Sequence, residues 1–144
     1  MDRLLIEIPS SHGRFEPCDL FGPNDELIHI KRPRNSASFG HLFNQALVST
    51  EILLDFADAR KAFANAVNSP GSGRVLRPDF RPRDVVLAFP VVGGPVVSIQ
   101  RIPAFARVTL SRVAETLEMR GVALQVVGIH EQLCGWVHEP ELDT

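Results

Sequence analysis

An aspartate, a histidine and a lysine flank one turn in "CDLFGPNDELIHIKR": Asp19 precedes the turn, and His29 and Lys31 follow it. Metal-assisted phosphodiester hydrolysis uses these side-chain types. A carboxylate and an imidazole can hold a divalent cation. An ammonium can orient or activate a water, or offset charge developing on a phosphate. If the hairpin is centred near Asn24, Asp19 stands directly across from His29. Cross-strand neighbours have Cβ atoms about 4.5–5.5 Å apart, within reach of a shared ion. Strand alternation places His29 and Lys31 on one face with Leu27, and Ile28 and Ile30 on the other. The plain alternative is a hairpin whose polar face is merely solvated. A one-residue slip in register would also part Asp19 from His29.

The elements that must hold these residues are legible from patterning. Residues 3–8, "RLLIEI", read as a first strand, and "PSSHG" as the turn after it. "RFEPCDLF" and "ELIHIKR" flank the turn-rich "GPND" as a hairpin, with Pro17 placing the first strand at an edge or bulge. A helical segment follows, with Ser36 or Ser38 as its N-cap. It is one long helix or two, breaking at Ser49-Thr50 or at Asp55. Residues 70–84 are rich in proline and glycine and read as a loop. "VVLAFPVV", 85–92, is apolar enough for a central strand. "GGPVVSIQRIP" extends it or forms a small hairpin, Gly93-Gly94 being a turn. A helix over 104–120 ends at Gly121, and "VALQVVGI", 122–129, is the last strand. The predicted class is α/β (α+β), a mixed β-sheet in the order β-β-β-α-β-α-β with helices packed on it.

Composition bounds the rest. The 144 residues form a single domain by length, 1–144, with a tail of unassigned structure at 130–144. With 44% apolar and 22% charged residues the chain is globular rather than disordered. No run approaches the roughly 18 apolar residues of a membrane span, and the N-terminus reads as a strand rather than a secretion signal. A cytoplasmic location and no membrane partner are expected. Cys18 and Cys134 fit no metal spacing and read as reduced thiols, Cys18 packed rather than catalytic. The five histidines lack the spacing of a closed zinc site. His41 could approach the same pocket as Lys31, or serve at the surface or as a cap.

A net charge of −2 gives no global pull on nucleic acid, so any such binding must come from local patches. Arg32 and Arg34 in "KRPR" form one, and Arg74, Arg77, Arg81 and Arg83 in "RVLRPDFRPR" another. Arginines spaced by proline suit phosphate contacts, although a solvated loop has the same composition. Leu133 and Trp136 in the tail fit a protein interface or self-association.

Asp19, then "ELIHIKR" across a turn, then "SASFGHLFNQALVS" resembles the core of the PD-(D/E)xK phosphodiesterase superfamily, most closely its Mrr-type restriction endonucleases. The resemblance implies a restriction-endonuclease-like core and a Mg²⁺- or Mn²⁺-dependent nuclease, a hydrolase of DNA in bacterial or phage defence. By position Asp19 is the implied metal ligand, and His29 the variant middle ligand where the family has Glu or Gln. Lys31 is the implied catalytic lysine, and Gln45 the auxiliary polar residue on the next helix. The family commonly has a further acid. Glu16 and Glu7 are its substitutes here, with Glu16 turned away from Asp19 only if the strand is interrupted at Pro17. The alternative implied activity is none: a nuclease fold with a dead site that binds nucleic acid or a partner protein. The chain also resembles the C-terminal block of an uncharacterised family of larger bacterial proteins, over roughly 15–67 and 84–129.

Overall fold

The computed structural model describes residues 6–8, 13–91 and 99–130. Two short strands, β1 (Ile6–Ile8) and β2 (Gly13–Phe15), pair antiparallel as a separate ribbon. The main sheet has the order β3-β4-β5-β6. Its strands are β3 (Leu20–Phe21), β4 (Leu27–Ile30), β5 (Asp84–Val91) and β6 (Ala123–His130). β3 and β4 are antiparallel, whereas β4, β5 and β6 run parallel. The mixed sheet with helices agrees with the class expected from patterning.

The expected order needs two amendments. "RFEPCDLF" is not one strand: it breaks between β2 and β3, and residues 16–19 leave the ladder around Pro17, which has no N–H to donate. The long helical segment is two helices, α1 (Ser36–Asp55) and α2 (Ala57–Val67), parted at the second of the expected break points. Phe56 between them is extended, at φ −111° and ψ 112°. Arg60 Nη1 then donates to the carbonyls of Leu53 and Leu54, at 3.0 and 2.8 Å, satisfying the open end of α1.

The start of α1 is fixed by a reciprocal cap. Asn35, not Ser36 or Ser38, is the N-cap: its side chain accepts from Ser38 N–H at 2.9 Å, and Ser38 Oγ accepts from Asn35 N–H at 3.0 Å. α3 (Ala104–Met119) ends as expected, with Gly121 left-handed at φ +74°. A Gly121→Ala variant should lose about 1 kcal/mol in urea denaturation, because a Cβ is strained at that φ even though the space around it is open.

The helices lie on one face of the sheet. Phe39 of α1 meets Phe89 of β5 edge-on at 5.4 Å. Phe63 of α2 meets Phe21 of β3 at 5.1 Å, and Phe80 closes that aromatic cluster. α3 packs against α1 and β6. The covered face is therefore the one carrying Leu27, His29, Val85, Leu87 and Phe89, all buried. No helix among the described residues is long and apolar enough to cross a membrane. The tail expectations for Leu133 and Trp136, together with Cys134, Glu7's side chain and the Gly93-Gly94 turn, lie outside the described residues.

Candidate active site

The hairpin has the register that its turn residues imply. Leu20 pairs with Ile28 and Phe21 with Leu27, symmetric about Asn24. Inside the turn Gly22 N–H donates to the Glu26 carbonyl at 2.8 Å, and Asp25 takes the left-handed conformation at φ 65°. The regular ladder stops at Leu20. Asp19 N–H donates to the Ile28 carbonyl at 2.9 Å, and Asp19 Oδ2 accepts from Ile30 N–H at 2.6 Å. The carboxylate thus substitutes for a backbone acceptor at the end of β4, a short charge-assisted bond. Asp19 Oδ1 makes no hydrogen bond among the described residues.

That departure from the ladder carries the Asp19 side chain into a cleft of about 390 Å³ lined by Glu16, Asp19, Lys31, His41 and Gln45, with Ile30 and Leu42. Three of the four catalytic residues expected from sequence meet there: Asp19, Lys31 and Gln45. Lys31 follows the end of β4, its N–H held by the Ala88 carbonyl at 3.2 Å. Its ammonium makes no ion pair among the described residues. His41 and Gln45, one helical turn apart on α1, form the facing wall.

His29 is the correction. His29 and Lys31 do not share the cleft: β4 ends at Ile30, Lys31 just beyond it lines the cleft, and His29 is not among the lining residues. His29 sits on the helix-covered face with Leu27, 1% exposed, and neither ring nitrogen has a hydrogen-bond partner among the described residues. Burial lowers its pKa to about 4, against the opposing pull of the Asp19 charge. The imidazole is therefore neutral at pH 7 and faces the core rather than the cleft. It does not join Asp19 as an exposed metal ligand. Among the described residues no three His, Cys, Asp or Glu side chains are grouped as a metal set.

Glu16, a substitute for the further acid by the resemblance, lines the cleft with Asp19 although the strand is interrupted at Pro17. Two residues three apart on a continuous strand point to opposite faces, so an unbroken strand would part Glu16 from Asp19. The interruption at Pro17 lets both line the cleft. Ser49 on α1 holds this loop, its Oγ donating to the Glu16 carbonyl at 2.8 Å. Cys18, buried between them, has its thiol pushed up to about 12 by burial and then by the Asp19 charge, so it stays protonated and is no nucleophile.

The basic residues divide between the two ends of the sheet. Arg32 and Arg34 follow Lys31 at the cleft end and are exposed. Arg81 and Arg83 lie with Asn24, Asp25 and Asp79 around a second cleft, at the amino end of β4 and β5. A four-residue strand, about 13 Å, separates the two ends. Arg77 pairs with Asp79 at 3.1 Å on the surface. Arg74 is withdrawn from the expected phosphate-binding set. Its guanidinium stacks over Phe21 at 4.6 Å, pairs with Asp25 at 2.7 Å and donates to the Gly22 carbonyl at 2.5 Å, clamping the turn. Arg74→Ala should therefore cost about 1–2 kcal/mol in thermal or urea unfolding. Nucleic-acid affinity that fell without any change in stability would contradict that assignment.

No curated protein and no solved structure matches the chain. A family model does match, over residues 1–130. The chain therefore belongs to the family of unknown function DUF6119.

Proposed function

We propose that the protein is a metal-dependent phosphodiesterase of the nuclease-like type, acting on nucleic acid, with bacterial defence against foreign DNA as its setting. The observation that carries this reading is the meeting of Asp19, Lys31 and Gln45 in one cleft at the carboxyl end of parallel strands. That end of an open sheet with parallel strands is where ligands commonly bind.

Asp19 fits a divalent cation such as Mg²⁺ or Mn²⁺: it is a carboxylate with one oxygen fixed by Ile30 N–H and the other without a hydrogen bond among the described residues. Bound there, the cation would polarise a phosphate and make a water more acidic. Lys31 supplies a positive charge on the same wall, placed to orient the attacking water or to stabilise charge building on the phosphate oxygens. Gln45, from the facing helix, offers an amide to position that water or a phosphate oxygen. Arg32 and Arg34 extend the positive edge beyond the cleft, where a phosphate backbone would run.

Plasmid and single-stranded DNA incubated with the full chain and Mg²⁺ or Mn²⁺ test the reading. Cleavage that is lost on adding a chelator supports it. Absence of cleavage with every divalent cation favours a second reading, a nuclease fold that only binds. The removal of His29 from the cleft gives that reading its own support. It requires affinity that falls with salt and responds to charge reversal at Arg81 and Arg83.

A further inference from the structure

We infer that the outer edge of β6 is an interface with a second copy of this chain. The two β6 strands pair antiparallel there, and the two α3 helices pack beside them about the same two-fold axis. The inference stands apart from the phosphodiesterase reading and uses none of the cleft residues.

The two edges of the main sheet differ. β3 is two residues long and closes into the turn at Gly22-Pro23, so it offers little to a further strand. β6 is eight residues long and pairs with β5 along its whole inner side. No strand among the described residues pairs with its outer side. Edge strands ordinarily carry a charge, a proline or a bulge that deters pairing. Residues 123–129, "ALQVVGI", have no charge and no proline, and their register with β5 runs without a bulge. Val126 lies opposite Leu87 on the helix-covered face, so Val127 and Ile129 point to the other face, where they are exposed. A strand without those deterrents fits a strand partner.

The flank of α3 beside that edge says which partner. Ala104, Arg107, Ser111, Ala114 and Glu118 recur at three- and four-residue spacing and so share one side of the helix. Ala114 and Glu118 line a notch of about 450 Å³ with residues 121–124, which places this side next to the start of β6. The stripe has a cation towards one end, an anion towards the other and small residues between them. Neither Arg107 nor Glu118 makes an ion pair among the described residues. Set antiparallel against its own copy, the stripe is complementary to itself. Arg107 of each copy meets Glu118 of the other, and Ser111 meets Ala114, which lets the helices approach closely. The notch beside Glu118 gives the incoming arginine its space.

Strand and helix agree on where the axis lies. The helix pairing puts it beside residues 112–113, about 10 Å back from the end of α3. The chain reverses at Gly121, and about 10 Å along β6 from its start is Val126, near the strand's middle. One two-fold axis therefore serves both elements, as contact between identical surfaces requires.

Sedimentation velocity of the full chain over a range of concentrations should show a monomer–dimer equilibrium. Glu118→Arg and Arg107→Glu should each raise the dimer dissociation constant about tenfold or more, because each sets like charges against one another twice. The double variant Arg107→Glu/Glu118→Arg should return it close to the parent value, a rescue that misfolding would not give. Hydrogen exchange reads the strand: amides in β6 should exchange more slowly as the dimer forms, while those of β4 stay unchanged. A parent protein that is monomeric at every concentration overturns the inference and leaves the edge to a strand of another protein. A dimer that both single reversals leave intact overturns it, and so does a double variant that stays monomeric. Dimer formation without slower exchange in β6 overturns it as well.

Discussion

Lys31→Ala is expected to slow Mg²⁺- or Mn²⁺-dependent phosphodiester cleavage by about 10²–10³-fold, the usual loss when one preorganised group facing developing charge is removed. The fold should survive the change. Lys31 is tied to the sheet through its backbone N–H on the Ala88 carbonyl, and alanine keeps that bond. Circular dichroism and the urea midpoint should match those of the parent. A Lys31→Arg variant should not restore full activity, since a planar guanidinium cannot occupy the place of a compact ammonium. Equal rates for parent and Lys31→Ala would remove Lys31 from the chemistry and leave the cleft as a binding site.

The second large effect is on stability and comes from His29. Its folded pKa of about 4 lies below the ordinary value of 6.5. Between those two values the unfolded chain binds a proton that the folded chain refuses. The contribution is therefore complete above about pH 6.5 and is lost as the pH falls towards 4. From the size of the shift, the loss between pH 7 and pH 4 is about 3 kcal/mol. Urea unfolding at several pH values should show this slope in the parent and lack that part of it in His29→Leu. The leucine variant should also be at least as stable at neutral pH, because it removes two buried nitrogens that have no partner among the described residues. The same slope in both proteins would mean that other groups cause it.

Much of the architecture is written in local chemistry. "GPND" between two short apolar runs fixes the hairpin centre, and the observed pairs are symmetric about Asn24. Asp19 and Lys31 stand out in the sequence as polar residues beside short apolar runs around one turn, whereas Gln45 is singled out only by the resemblance. The burial of His29 was not legible, for a physical reason. "LIHI" is apolar on both faces, so period-two patterning cannot say which face is buried, and the polarity of histidine points the wrong way. The helices settle the matter from outside the segment, by covering the side that carries Leu27. The direction Glu16 takes is not legible in the sequence, because it depends on how residues 16–19 leave the strand and on Ser49, thirty-three positions away. Arg74 looked like its neighbours in "RVLRPDFRPR", and only the three-dimensional approach to Phe21 sets it apart.

The cleft residues all fall between positions 16 and 45, in a hairpin and the helix that follows it. The sheet that supports them is different, since Leu27 must find Val85, and Val85 must find Leu124, across long intervening chain. Closing short loops costs less entropy and takes less time than closing long ones. During folding the hairpin and α1 can bring Glu16, Asp19, Lys31 and Gln45 near one another before β5 arrives, and pairing with β5 then locks Lys31 through Ala88. An emerging chain would thus hold the chemical groups together early and become rigid only when its later half is made.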